Sequence, residues 1–275
     1  MPDRKKALIA GATGVVGRNL LRHLLALDGW DVIAVSRRKP DVDGRYEHVA
    51  VDLLDRAQTF EALKRPRGVT HVFFSAYIER PTWAEMVAPN QTMLVNLMDA
   101  IETASPDLAH VNLIHGTKWY GNHLGPFKTP AKEDDPRHMP PNLLSRALVW
   151  MATDSRCANE PFNVTNGDLI RWENLWPKMA SYFRMEVGPR QHIKLTEMMA
   201  DKASLWDRIV AQHGLRRIPY DQIVSWGYGD FVFGAGFDII SSMTKARRYG
   251  FHEAVDTEEM FFRMFDELRA SKVIP

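Results

Sequence analysis

Three glycines at three-residue spacing near the start of the chain constrain its fold more than any other feature. Gly11, Gly14 and Gly17 follow a short apolar run at residues 7–10, and leucines at helical spacing begin at Leu20. An apolar run, a glycine triplet and an amphipathic segment are typical of a strand, a tight turn and a helix. The sequence therefore predicts a unit that binds the phosphates of a dinucleotide.

Each glycine of the turn has a predicted task. Gly11 lets the chain leave the strand sharply, Gly14 lets the backbone approach the pyrophosphate, and Gly17 lets the helix pack closely on the sheet. The free N–H groups and the positive dipole end of the helix would hold the phosphates. The predicted cofactor contacts in this turn are Gly11, Thr13, Gly14, Val15, Val16 and Gly17. The alternative interpretation is an ordinary glycine-rich turn.

A basic segment follows the second predicted strand, at residues 30–35. The strand ends in Ser36, Arg37 and Arg38, with no acidic residue among them. NAD sites usually place a carboxylate here for the ribose 2′-hydroxyl, whereas NADP sites offer cations to the 2′-phosphate. The sequence therefore predicts NADP(H) as the cofactor; a solvated basic turn is the alternative.

Three further strands are predicted at residues 46–51, 69–76 and 110–115. The first is followed by Asp52 and Leu53, which are expected at the adenine edge, and the second ends in Ser75 and Ala76, expected beside the cofactor. The third leads to Lys118, which therefore falls on the edge where parallel sheets bind ligands. Helices are predicted at residues 55–64 and from Met93 to Ile101, after a proline-punctuated loop at residues 77–89.

This alternation of strands and helices predicts an α/β fold, a Rossmann-type doubly wound parallel sheet with a smaller, mainly helical C-terminal lobe. Residues 1–142 would form the NADP-binding domain and residues 143–275 the substrate lobe. The predicted elements of the second part are a helix at 143–153, a strand at 162–168, and amphipathic segments at 172–183, 196–213 and 257–272. The aromatic residues expected in its core, or lining a hydrophobic substrate pocket, are Trp206, Trp226, Phe231, Phe233 and Phe237.

The composition of the chain argues against several other classes of protein. The 275 residues carry a net charge of +1, which gives no bias towards nucleic acid or membrane partners. Cys157 is the single cysteine, so an internal disulfide is impossible, and the scattered histidines do not predict a metal site. The acidic run Glu133-Asp134-Asp135 is interpreted as a solvated turn. Without a secretory segment or a long apolar stretch, a cytoplasmic protein is expected.

With these residues identified, the chain resembles the extended and atypical short-chain dehydrogenase/reductases, and among them the progesterone 5β-reductase and iridoid synthase-like (PRISE) group. The resemblance runs almost from end to end, and its most specific part is Lys118-Trp119-Tyr120-Gly121 with Gly125-Pro126-Phe127. The other matching motifs are the glycine turn, Arg37-Arg38, Asp52-Leu53, the segment at 162–168, Trp172 and Leu175-Trp176-Pro177.

The resemblance implies an NADPH-dependent reductase that transfers hydride to a hydrophobic α,β-unsaturated carbonyl compound. It assigns the catalytic lysine to Lys118, but the family's catalytic tyrosine has no counterpart. Where the tyrosine motif is expected, Pro141-Asn142 continues into Leu143-Leu144, which is similar to a helix much later in the family. The resemblance implies that about eighty residues are absent at this junction, judged from the family's usual length and a plausible domain size. Either the natural polypeptide contains them, or the chain has an internal deletion.

Two other functions stay open at this point. Direct reduction of a ketone or aldehyde could take place in the same site, and a non-catalytic NADP-binding regulator would fit the missing tyrosine. Tyr120 is the nearest remaining phenol, although it matches a different aromatic position of the family. The sequence does not identify the natural substrate, and a homodimer is expected from the family alone.

Overall fold

A computed structural model of the chain describes residues 4–65, 68–115, 141–234, 236, 238 and 240–275. Its described residues form two compact units. Residues 1–165 and 241–253 make up the first, and residues 166–240 and 254–275 make up the second. The domain boundary that the sequence places after Asn142 stays a prediction, and in the structure the helix at Pro141–Thr153, which contains this residue, belongs to the first unit.

The first unit is built on a parallel sheet of five strands in the order β3-β2-β1-β4-β5. The strands are β1 (Lys5–Ala10), β2 (Trp30–Ser36), β3 (Glu47–Ala50), β4 (His71–Phe74) and β5 (His110–Leu113). The chain runs outward from β1 to β3 and then returns to start β4 on the other side of β1. The carboxyl ends of β1 and β4 therefore flank a topological switch point, where doubly wound sheets bind ligands. This confirms the predicted fold class.

Four helices of the first unit cover the two faces of this sheet. They are α1 (Val15–Leu25), α2 (Arg56–Leu63), α3 (Trp83–Ala104) and α4 (Pro141–Thr153). One buried cluster joins β1 and β2 to α2 and α3 through residues such as Leu8, Leu63 and Leu97. The other joins the opposite face to α1 and α4 through residues such as Leu21 and Leu148. The short helix α10 (Thr244–Arg248) also belongs to this unit.

The second unit is mainly helical. Its helices are α5 (Trp172–Tyr182), α6 (Leu195–Met198), α7 (Ala203–His213), α8 (Tyr220–Ile223), α9 (Trp226–Phe233) and α11 (Thr257–Ala270). The Asp230 carboxylate on α9 accepts hydrogen bonds from the backbone N–H groups of Leu195 and Thr196, at 2.5 and 3.1 Å, and so fixes the start of α6. Among the described residues, no helix is both long enough and apolar enough to cross a membrane.

Two predicted elements differ in the structure. The proline-punctuated loop is shorter than predicted, because α3 begins at Trp83 and contains Pro89. Thr82 and Glu85 form a capping box that starts the helix early, and a proline removes only one of its hydrogen bonds. Residues 162–168 were predicted as a strand but pair with no strand among the described residues. Phe162 and Val164 are nevertheless buried, so the alternating pattern reflects packing of an extended segment.

The aromatic core predicted for the second unit is only partly correct. Phe231 and Phe233 on α9 are 47% and 51% exposed. α9 contacts α6, and the Phe233 ring lies 5.1 Å from that of Trp172 on α5. Trp206 and Trp226 are half-buried, and Phe237 lies outside the described residues.

Candidate dinucleotide site

The glycine turn lies between the carboxyl ends of β2 and β4. Gly11 has a φ of +81°, a backbone conformation that favours glycine. Its N–H donates to the carbonyl oxygen of Val35 on β2, at 3.0 Å. A Cβ at Gly11 would lie 2.6 Å from the backbone nitrogen of Ala76, just beyond β4. Only glycine therefore lets the turn fit at the switch point of the sheet.

The start of α1 offers unused N–H donors. Gly14 is its N-cap, with extended backbone, and the described residues supply neither a side-chain cap nor an acidic residue in the first turn. The N–H groups of Val15, Val16 and Gly17 precede the first helical hydrogen bonds, so they can bind an anion. A Cβ at Gly17 would lie 2.3 Å from the carbonyl oxygen of Gly11. Gly17 thus allows α1 to pack on the turn itself, whereas the sequence suggested the sheet.

The two arginines after β2 lie on the exposed surface. Arg37 and Arg38 form no ion pair with any residue that the structure describes. The hydroxyl of Ser36 donates to the carbonyl oxygen of Arg38 at 2.7 Å, and its predicted contact with the cofactor stays a prediction. His48 Nε2 on β3 lies 3.3 Å from the same hydroxyl. This network shapes the loop and leaves both guanidinium groups available to a phosphate.

The segment after β3 is fixed by a residue that sequence reasoning did not assign. Asn96 on α3 is buried, and its Nδ2 donates to the carbonyl oxygen of Leu53 at 2.8 Å. Asp52 is half-buried, and its carboxylate accepts from the Leu54 N–H at 3.1 Å. Asn96 therefore holds the proposed adenine edge in place. The signal for it was a polar residue within an apolar helical pattern.

The end of β4 is tied to the end of β1. The Ser75 hydroxyl and N–H both donate to the carbonyl oxygen of Ala10, at 2.7 and 2.9 Å. Ser75 and Ala76 thus lie directly beside the glycine turn, and their predicted contact with the cofactor stays a prediction. The ends of β2 and β3, with the other predicted contacts, follow at the same carboxyl edge of the sheet, and their contact with a cofactor stays a prediction.

The predicted catalytic residue is not among them. Lys118 lies outside the described residues, as do Tyr120 and the acidic run at residues 133–135. No metal-ligand cluster occurs in the part of the chain that the structure describes. Cys157 is buried, and burial raises the pKa of its thiol to about 11, so it is not a reactive thiolate near neutral pH.

Two protein-family profiles match this chain. The profile of the NAD dependent epimerase/dehydratase family covers residues 7–167, which include the sheet except for the first two residues of β1. The profile of the PRISE-like Rossmann-fold domain covers residues 142–275. The second match begins at the junction where the sequence departs from the family pattern.

Relatives match along nearly the whole chain. The (S)-8-oxocitronellyl enol synthase CYC2 of Camptotheca acuminata is 26% identical over 366 positions, covering 98% of this chain and 93% of the relative. The 3-oxo-Delta(4,5)-steroid 5-beta-reductase of Arabidopsis thaliana is 25% identical over 367 positions, covering 98% and 93%. Because this chain has 275 residues, each alignment contains a long stretch with no counterpart here.

A solved structure also matches over the full length. It is the crystal structure of a short-chain dehydrogenase/reductase superfamily protein from Agrobacterium tumefaciens, with bound NAD. The TM-score is 0.53 at 17% identity, with 98% of each chain covered. At this identity the likeness supports the Rossmann-type fold alone.

Proposed function

Because this chain belongs to the NAD dependent epimerase/dehydratase family and to the PRISE group of extended short-chain dehydrogenase/reductases, we propose that it is an NADPH-dependent enone reductase. Its substrate would be a hydrophobic α,β-unsaturated carbonyl compound. One observation carries the proposal. The glycine turn is bonded to the strand that Arg37 and Arg38 follow, both arginines are without an ion pair among the described residues, and the end-to-end relatives include a steroid 5-beta-reductase and an enol synthase.

The preference for NADPH rests on charge at the end of β2. Arg37 and Arg38 follow Val35 by two and three residues, and Val35 accepts a hydrogen bond from Gly11 of the turn. A cofactor whose pyrophosphate lies on the turn would bring its ribose close to these guanidinium groups. Residues 36–40 contain no carboxylate that could instead accept from a 2′-hydroxyl. This supports recognition of a 2′-phosphate.

Protein side chains must stabilise the negative charge that forms on the substrate oxygen during the reaction. Bound NADPH would supply hydride to the β-carbon of the enone. The carbonyl oxygen then becomes an enolate oxygen, which a nearby cation stabilises before a proton is added. We propose Lys118 for this cation, on the strength of its family motif. The proton donor of the family is a tyrosine, so the proposal includes a further segment between Asn142 and Leu143 in the natural polypeptide.

The test measures NADPH consumption by protein from its native source with a panel of substrates. The panel contains a 3-oxo-Δ4-steroid, acyclic enals and their saturated counterparts. We expect steady consumption with at least one enone, and a product that has lost the carbon–carbon double bond and kept the carbonyl group. Protein without an enone is the control for substrate-independent oxidation of NADPH.

Other products would assign other functions. A product that keeps its double bond and gains a hydroxyl group would show carbonyl reduction in the same site. Tight NADPH binding with no consumption across the panel would support a non-catalytic regulator, the function favoured by the absence of the family tyrosine from this sequence. Failure to bind NADPH at all would remove all three proposals.

A further inference from the structure

Arg18 is a second cation at the glycine turn, and neither the sequence motifs nor the proposed function uses it. It lies in the first turn of α1, where side chains point back towards the helix start. Its Nη2 donates to the carbonyl oxygen of Thr13 at 3.0 Å. Its Nε is buried and has no hydrogen-bond partner in the described part of the chain.

The position is unfavourable for a cation unless an anion is nearby. The start of a helix carries a partial positive charge, so arginine there is repelled by the helix dipole. Among the described residues, Arg18 has no ion pair, and the first turn of α1 contains no acidic residue. A buried donor without a partner is a second cost. An anionic ligand at the turn would remove the first of these costs, because its negative charge offsets the dipole and the guanidinium charge.

We propose that Arg18 is a positioning residue for the pyrophosphate of the dinucleotide. Its guanidinium group holds the Thr13 carbonyl oxygen away from the phosphates, so that the turn presents N–H groups to them, and it adds positive charge to the helix start. This inference rests on the proposed cofactor. Because NADPH and NADH share the pyrophosphate, Arg18 raises the affinity for both equally, whereas Arg37 and Arg38 distinguish between them.

The experiment compares Arg18→Met and Arg18→Lys with the unmodified protein. Dissociation constants are measured for NADPH and NADH by fluorescence of the bound dinucleotide, and for adenosine 2′-monophosphate, which has no pyrophosphate, by calorimetry. Arg22→Met is the matched control, because it removes the same charge from an exposed position one turn further along α1. Melting temperatures of the ligand-free proteins report any purely structural effect.

For Arg18→Met we expect NADPH and NADH to bind about tenfold more weakly, with the same factor for both, as for loss of a charge-assisted hydrogen bond. Affinity for adenosine 2′-monophosphate should not change. Arg18→Lys should recover part of the loss because the charge remains, and Arg22→Met should bind all three ligands normally. The ligand-free melting temperature should stay within a few degrees, since repulsion by the helix dipole is removed together with the Thr13 hydrogen bond.

Three results would overturn the inference while leaving the proposed cofactor intact. They are unchanged dinucleotide affinity in Arg18→Met, a loss confined to NADPH, and a large fall in ligand-free melting temperature in both Arg18 variants. If the unmodified protein binds neither dinucleotide, the proposed function and this inference fail together.

Discussion

Two exposed side chains beside the glycine turn determine the proposed choice of cofactor. Arg37 and Arg38 stand at the end of a strand whose last residue, Ser36, is buried and bonded back to the loop. The backbone of the loop is therefore fixed while the guanidinium groups remain accessible. A fixed loop lowers the entropy cost of binding a phosphate, which favours specificity.

We predict that Arg37→Ala combined with Arg38→Ala weakens NADPH binding by about tenfold to a hundredfold, from the loss of charge-assisted hydrogen bonds. NADH binding should change little, because NADH has no 2′-phosphate. The measurement is the ratio of the two dissociation constants by fluorescence titration. Lys39→Ala is the matched control, since the Lys39 ammonium group lies 6.0 Å from the Tyr46 ring and takes no part in the proposed site. An unchanged ratio in the double variant would leave NADP specificity without support.

At the residue scale, the sequence could predict groups whose chemistry follows from a motif but not those that act through the fold. Arg37 and Arg38 were predictable because a charge at a strand end has a known use. Asn96 was not, since its role depends on the proximity of α3 to Leu53, more than forty residues away in sequence. The sequence places Arg18 at the start of a predicted helix, but the burial of its Nε without a partner among the described residues depends on packing.

At the scale of elements, Gly14 and Gly17 differ in how closely they approach the rest of the glycine turn. The packing of α1 on the turn depends on one of them and not on the other. Gly17 is buried, and a Cβ there would lie within 2.9 Å of both the Gly11 carbonyl oxygen and the Ala12 Cα. Gly14 is exposed and has an ordinary φ of −70°, and its Cβ would approach only the Gly11 oxygen, at 3.3 Å. Gly17 is thus required for packing, whereas Gly14 is not, and its proposed task is to give the ligand access to the backbone.

We therefore predict different results for alanine at the two positions. Gly17→Ala should lower the free energy of unfolding of the ligand-free protein by about 2 kcal/mol or more, as for overpacking against backbone. Gly14→Ala should cost about 1 kcal/mol or less, yet weaken NADPH binding, because its methyl group would stand where the phosphates approach. Urea unfolding and NADPH titration measure the two effects. Equal stability of the two variants would contradict this division of tasks.

The elements themselves were predictable where local pattern and packing agree. The five strands and α1 follow from apolar runs and turns, and their observed bounds differ from the predicted ones by a few residues. The start of α3 was misplaced because the prolines were given more weight than the capping box at Thr82. Phe231 was misplaced because the aromatic and aliphatic residues of α9 are spread around the helix, so their pattern does not show which side the rest of the unit will cover.

At the scale of the whole molecule, one edge of the sheet has no further strand beside it among the described residues. Within the described residues, β5 is an edge strand, and Val111 and Leu113 are 41% and 42% exposed on the face that carries α3. A right-handed connection from β5 to a sixth strand would place its helix on this same face. The next helix, α4, instead packs on α1, where His71 Nε2 lies 3.2 Å from the carbonyl oxygen of Ala152. α4 therefore has the location of a helix that follows a sixth strand, not of one that leads to it.

This arrangement predicts the mass of the natural protein. A crossover helix would cover Val111 and Leu113, and a sixth strand would pair with the backbone N–H and C=O groups at the edge of β5. The same segment would contain the position where the family tyrosine is expected. Protein isolated from its native source should therefore be heavier than the 31.5 kDa of this sequence by roughly 9 kDa, the mass of about eighty residues in a domain of usual size. Intact-mass spectrometry measures the difference directly.

The protein from its native source is compared with recombinant protein that contains only the 275 residues of this sequence. Because the glycine turn, Arg37 and Arg38 are all present in the recombinant protein, it should bind NADPH, but it should not consume NADPH with an enone, since the expected proton donor is missing. A native mass of 31.5 kDa would mean that the internal deletion is real. In that case the exposed flank of β5 belongs to the mature protein, and nucleotide binding without turnover becomes the expected function.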